Sequence, residues 1–167
     1  ARVMVARDPR PSGPMLETGV AAGVVGCGAD AVLAGVLPTS GLATALRAGM
    51  ADVGVMITAS HNPAEDNGFK VLAVGGRKLT DEEATAFEKW LQDDAPFHRT
   101  PGLMQEEAEG AWHCYQTALD SVTPDPEVFR GRRIAVDLAN GAAAPLRDWL
   151  VRRFPADFLF LGEGVGR

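Results

Sequence analysis

Short β-branched, apolar runs alternate with longer Ala-, Leu- and Gly-rich stretches along this chain, the pattern of βαβ units around a mostly parallel sheet. Val3-Met4-Val5-Ala6 reads as a buried strand, Pro9 and Pro11 turn the chain, and a helix that Ser12 could cap runs to about Cys27. Residues 31–37 form the second predicted strand. Pro38 ends it, Thr39 or Ser40 can cap a helix to about Ala48, and residues 52–58 resume as a strand with Val53, Val55 and Ile57 on one face. Residues 59–67 are polar and short-sided. Strand composition returns at 69–74, Gly75-Gly76 turns the chain, and Thr80 with Glu83 makes a capping box for a helix to about Gln92.

Residues 93–110 are rich in Pro, Gly and Glu and lack a period, as a connection between layers or domains would. Trp112 to Leu119 reads as helical, Thr123-Pro124-Asp125-Pro126 breaks the chain, and a strand at 132–138, a helix at 142–154 and a strand at 157–161 follow. Gly141, at the strand-to-helix turn, is expected to supply backbone angles that other residues resist. The expected fold class is α/β: a mixed, mostly parallel sheet sandwiched by helices, plus the start of a second similar α/β domain. The expected boundaries are a first domain at 1–94, a linker and connecting helix at 95–130, and an incomplete second domain at 131–167.

Composition narrows the function. Of 167 residues, 46% are hydrophobic and 23% charged, enough for a real core, and 16 Lys and Arg against 22 Asp and Glu leave −6. That balance disfavours nucleic acid and anionic membranes as partners. Residues 81–109 alone hold nine acidic and two basic side chains, so a phosphate-binding site is expected elsewhere. The longest uncharged stretch, 31–46, is interrupted by Pro38 and Gly41, so no transmembrane segment is expected. Cys27 and Cys114 make no disulfide framework, which fits a cytoplasmic location. The chain opens on Ala1 as though inside a strand, so a truncated chain is expected.

The chemistry concentrates after the third strand. Thr58-Ala59-Ser60-His61-Asn62-Pro63 follows the carboxyl end of a buried strand, where open α/β sheets place ligand loops. Its small hydroxyl beside His61 and Asn62 suits a nucleophile that carries an acyl or phosphoryl group, although a plain polar loop has the same composition. Ten residues on, Lys70 brings a cation able to neutralise a phosphate or shuttle a proton. Arg7 and Arg10 place two guanidinium forks at the end of the first strand, and if the first and third strands are neighbours these cations and Ser60 converge. A serine hydrolase lacks support, because no Gly-x-Ser-x-Gly elbow is present. Trp112-His113-Cys114-Tyr115 reads as packing, since adjacent helical residues point apart.

Thr58-Ala59-Ser60-His61-Asn62-Pro63 followed by Glu65-Asp66-Asn67-Gly68-Phe69-Lys70 resembles the phosphoserine loop of the α-D-phosphohexomutases. Arg7-Asp8-Pro9-Arg10-Pro11-Ser12-Gly13 is similar to the family's Gly-Arg-Asp-x-Arg-x-Ser-Gly element, with Ala6 in place of its Gly. Gly75-Gly76-Arg77-Lys78-Leu79 matches the following hairpin, and Val136-Asp137-Leu138-Ala139-Asn140-Gly141-Ala142 the opening of the second domain. Within the family the pattern is most similar to bacterial phosphoglucosamine mutases, with phosphomannomutase/phosphoglucomutase relatives as the alternative.

The resemblance implies an intramolecular phosphotransferase. Its phosphorylated Ser60 gives the phosphoryl group to a hexose phosphate and takes the other one back from a bisphosphate sugar. It also implies Lys70 as proton shuttle, His61 as a catalytic residue beside it or a loop-positioning group with Asn62, and Arg7, Arg10 and Asn62 as groups that bind the substrate's phosphate or hold the loop. Mg²⁺ would bind an oxygen of phosphorylated Ser60 together with an Asp-rich loop expected downstream of Arg167. With that loop and the sugar-recognition and carboxyl-terminal phosphate loops outside these residues, the 167-residue chain by itself is expected to be inactive. A non-catalytic α/β interaction module is the reading from a different class. The resemblance leaves the oligomeric state open.

Overall fold

The computed structural model describes residues 1–92 and 100–164. Five strands form one sheet in the order β4-β3-β1-β2-β5. β1 (Arg2–Arg7), β2 (Asp30–Val36) and β3 (Val53–Ile57) are parallel, β4 (Phe69–Leu72) runs antiparallel to β3, and β5 (Met104–Glu106) pairs parallel with β2. β1 is therefore central, and its side chains from Met4 to Ala6 are wholly buried.

The chain leaves β1 toward β2 on one side and returns from β2 to β3 on the other. Right-handed crossovers in opposite directions put the two intervening helices on opposite faces. α1 (Gly13–Gly26) covers one face of β1 and β2, while α2 (Thr39–Arg47) and α4 (Ala108–Val122) cover the other. Between α2, α4 and the sheet lies the main core, with Met4, Val32, Leu37, Leu42 and Met56 at its centre. Burying each such side chain contributes about 1.5–3 kcal/mol. Gly54 lets α2 approach β3, since a Cβ there would lie 2.8 Å from Leu46 Cδ1. The expected mixed, mostly parallel sheet between helices is what the chain forms.

β6 (Arg133–Asp137), α5 (Leu146–Arg153) and β7 (Asp157–Leu161) make a second βαβ unit with β6 and β7 parallel. Phe154 anchors it, meeting Phe129 edge-on at 4.9 Å and Trp149 at 5.8 Å between ring centroids.

Several local expectations give way. Ser12 sits at the helix start but caps nothing with its side chain, because its hydroxyl accepts from Asn67 Nδ2 at 3.0 Å. Pro38, not Thr39 or Ser40, holds the position before α2. Ser40 instead meets the Tyr115 hydroxyl at 2.9 Å. The helix expected from Ala142 starts only at Leu146, after a run of turns. In that turn the positive φ angles belong to Ala139 (49°) and Asn140 (51°), and Gly141 has none. The side chain of Asp137 explains this, since its Oδ1 accepts from Ala139 N at 2.8 Å and bends the chain before Gly141 is reached.

Other expectations hold. Thr80 and Glu83 form the reciprocal capping box of α3 (Asp81–Trp90), and Gly75 and Gly76 turn the chain with φ of 74° and 76°. Ala6 lies at a β-bulge opposite Gly35, whose φ of 61° absorbs the irregularity, so Ala6 itself needs no unusual angle. Residues 93–99, part of the expected connection, lie outside the described residues. β5 falls in the same expected connection, and its short, polar sequence gives no strand signal.

Candidate active site

The carboxyl ends of β1, β2 and β3 open onto one cavity of about 780 Å³. Asp8 and Arg10 line it from the turn after β1, Thr39 from the start of α2, Thr58, Ser60, His61 and Asn62 from the end of β3 and its loop, and Lys70 from β4. The 138–143 turn after β6 closes another side. A crevice at the carboxyl ends of strands whose connections diverge to opposite faces is where such sheets bind ligands.

β1 and β3 are in register through Arg7 opposite Ile57, so the next residues, Asp8 and Thr58, meet as the strands end. Asp8 N donates to Ile57 O at 3.0 Å. The nearly buried Asp8 carboxylate accepts from Thr58 Oγ1 at 2.6 Å, from Arg10 Nε at 3.0 Å and from Arg10 N at 3.2 Å. Thr58 Oγ1 in turn accepts from Ser60 N at 3.0 Å. Ser60 is exposed, with φ of 58°, a left-handed conformation that a non-glycine residue adopts only when its surroundings impose it.

Arg10 imposes much of that. Its Nη2 donates to the carbonyls of Ser60 and Asn62, each at 2.9 Å, and its Nη1 to those of Asp66, at 2.9 Å, and Pro63. With Nε on Asp8, all five guanidinium N–H donors are engaged, and none is left for a ligand. Of the two roles expected for Arg10, holding the loop or the phosphate, these contacts are those of a loop clamp.

Arg7 is drawn elsewhere. Its Nε pairs with Glu17 at 2.9 Å on the α1 side, and it is not among the cavity's lining residues. The physical reason is strand alternation: Arg7 points to the face that α1 covers, so the expected phosphate-binding role has no support in its placement.

Asn62 lines the cavity, but its Nδ2 is held by Asp66 Oδ2 at 3.2 Å, a bond within the loop. His61 is exposed on the cavity wall. Lys70 pairs with Met56 across β3 and β4, on the face that opens into the cavity. Of the lining Lys and Arg side chains, Arg10 and Lys70, only Lys70 is outside the ion pairs found among the described residues.

The structure thus brings Ser60, His61, Asn62, Lys70 and Arg10 together and leaves Arg7 apart. Asp8 and Thr58 are organising residues that sequence reasoning passed over. The available signal was an acid followed by an Arg at the end of one strand and a hydroxyl at the end of another, which become partners only once the two strands are known neighbours.

Among the described residues, no group of three or more His, Cys, Asp and Glu could hold a metal ion. Ser60 offers one hydroxyl oxygen, whereas Mg²⁺ demands a near-octahedral set, so the described residues alone do not fit the ion. No helix among the described residues is long and apolar enough to cross a membrane.

Known proteins are similar to this chain in sequence and in fold. Residues 1–96 match the model of phosphoglucomutase/phosphomannomutase, alpha/beta/alpha domain I. Phosphoglucosamine mutase of Saccharopolyspora erythraea is 41% identical over 98% of this chain and 38% of its own length. That of Ligilactobacillus salivarius is 40% identical over 99% and 39%. A phosphoglucomutase/phosphomannomutase family protein from Burkholderia thailandensis superposes with a TM-score of 0.73 at 27% identity, over 98% of this chain and 36% of its own. The chain therefore spans well under half the length of these relatives. A domain model matched over more than half of its residues, and relatives about 40% identical along nearly all of it, leave one conclusion: the chain belongs to the phosphoglucomutase/phosphomannomutase family.

Proposed function

We propose that Ser60 is the phosphoryl carrier of a phosphohexomutase and that this chain supplies the carrier half of its active site. One observation carries the reading: an exposed serine in a left-handed conformation, clamped through four loop carbonyls by a single arginine and facing a cavity with Lys70 on its wall. A fixed, exposed hydroxyl beside an available cation is what reversible phosphoryl storage requires.

In the forward step the P–O bond to Ser60 Oγ breaks as a sugar hydroxyl oxygen bonds to phosphorus; the Lys70 ammonium gives a proton to Ser60 Oγ, and the amine so left takes the proton of the sugar hydroxyl. The bisphosphate sugar turns over and the reverse step returns its other phosphate to Ser60, moving phosphate between the 6- and 1-positions. His61 and Asn62 shape the loop, and Arg10 maintains its carbonyls. Residues 1–94 form the carrier domain in this reading, 95–130 the connection and 131–167 the start of the next domain. The proposed substrate is glucosamine 6-phosphate, which becomes glucosamine 1-phosphate. Relatives named phosphoglucosamine mutase at about 40% identity support it over mannose or glucose phosphates.

Intact-mass and peptide analysis of the protein tests this reading. A phosphate-sized increment on the Ser60 peptide that leaves when the full-length protein meets its sugar monophosphate is expected. Full turnover of glucosamine 6-phosphate by Ser60→Ala would end it. Equal or faster turnover of mannose 6-phosphate would reassign the sugar alone.

A further inference from the structure

We propose that Asp8 and Thr58 act as a positioning pair for Ser60, fixing the carrier's backbone through a one-way hydrogen-bond relay. The inference rests on the reading of Ser60 as phosphoryl carrier and extends it to two residues that do not themselves touch phosphorus.

A threonine hydroxyl has one proton and can point it in only one direction. Here the hydroxyl donates to the Asp8 carboxylate, an acceptor alone, with 2.6 Å between the oxygens. The Thr58 oxygen can then only accept toward Ser60, and it does so from Ser60 N at 3.0 Å. Charge assistance from the nearly buried Asp8 makes the first bond strong and so fixes the direction of the second. The relay holds the N–H of Ser60, whose φ is 58°, against the Thr58 hydroxyl, while Ser60 lines the cavity.

Asp8 is also the counter-charge of Arg10, whose side chain is 9% exposed, so one carboxylate anchors both the relay and the carbonyl clamp. The two devices act on opposite ends of the Ser60 residue, the relay on its N–H and the clamp on its C=O. Asparagine at position 8 cannot replace the acid. Its amide group turned either way sets an N–H against Arg10 N, or against Arg10 Nε and the Thr58 proton.

Thr58→Val keeps the shape and deletes the hydroxyl, Thr58→Ser keeps the hydroxyl, and Asp8→Asn turns an acceptor into a donor. In the full-length protein, Thr58→Val and Asp8→Asn are expected to lower kcat about 10²-fold with KM for the sugar phosphate unchanged. Thr58→Ser is expected to recover most of the loss. Amide hydrogen exchange of Ser60, read by NMR on this polypeptide, should accelerate in Thr58→Val and return toward the wild-type rate in Thr58→Ser. Should Asp8→Asn fold poorly, the two Thr58 variants still decide the matter. Wild-type kcat and amide protection in Thr58→Val, or a Thr58→Ser as impaired as Thr58→Val, would overturn the relay. Loss of turnover in Ser60→Ala with normal Thr58→Val sinks this inference alone, whereas turnover by Ser60→Ala removes the carrier reading and the relay with it.

Discussion

Arg10 and Ser60, 50 positions apart in the chain, are joined by a bond of 2.9 Å from the Arg10 Nη2 to the Ser60 carbonyl oxygen. The contact ties the turn after the central strand to the loop after its neighbour, so the geometry of the proposed carrier is a property of two strand ends together. Its guanidinium meets three further carbonyls of the same loop.

Arg10→Lys keeps the charge but has a point-like ammonium where a planar fork spans four carbonyls. The variant should lose about 1–2 kcal/mol of stability, because the exposed loop carbonyls lose a charged donor that bridges all four. Urea unfolding measures the loss, and a midpoint equal to that of the wild type would show that the clamp is not stabilising.

Ser60→Thr retains a hydroxyl yet adds a second branch at Cβ, which the left-handed conformation resists. It should be less stable by about 1–2 kcal/mol and accept no phosphate at position 60, whereas Ser60→Gly should be at least as stable as the wild type. Chemical denaturation with mass spectrometry of the peptide checks both. A phosphorylated and equally stable Ser60→Thr contradicts the proposed strain.

Gly75 and Gly76 share a positive φ but not their surroundings. A Cβ on Gly75 would meet nothing within 4 Å, while one on Gly76 would sit 2.2 Å from the Ala43 carbonyl oxygen. Gly75→Ala should cost about 1 kcal/mol from its backbone angle alone. Gly76→Ala should cost more, because the hairpin must lift away from α2. Thermal denaturation of the two variants side by side reads the difference, and equal losses would rule out the close approach.

Glu83 ends the capping box of α3 and pairs with Arg77, Oε1 to Nη2 at 2.6 Å. The Arg77 hydrogen bond, followed by that from Thr80 N, holds its carboxyl down at about 2, against an ordinary 4.5. The folded state therefore binds this proton less tightly than the unfolded state. The stabilisation is complete above about pH 4.5 and disappears as the pH falls through about 2. Stability measured against pH for wild type and Glu83→Gln should diverge over that window and converge below it. Because the pair is exposed, added salt should narrow the gap. Parallel curves across the acid range would discard the pair as a contributor.

Much of the fold is legible in one dimension because its determinants are local. The apolar run at 3–6 and the Thr80/Glu83 box each act over a few residues, and β1 and α3 form where those residues indicate. β5 is the counterexample. Met104–Glu106 is exposed and polar in character, and it is a strand only because β2 offers an unpaired edge beside it. Ser12 tells the same story from the other side: a competent cap by sequence, it spends its hydroxyl on Asn67, 55 residues away.

For the candidate site, the sequence by itself determined the reactive inventory, Ser60, His61, Asn62 and Lys70 on one loop and the strand after it, because a motif is a statement about neighbours in the chain. Only the tertiary structure decided that Arg10 clamps, that Arg7 faces α1 and pairs with Glu17, and that Asp8 and Thr58 come together. Strand order and register set those outcomes. Placing β3 beside β1 with Arg7 opposite Ile57 makes partners of residues 50 positions apart, and the alternation of side chains along β1 sends Arg7 to the opposite face. No local pattern of residues encodes which strands become neighbours.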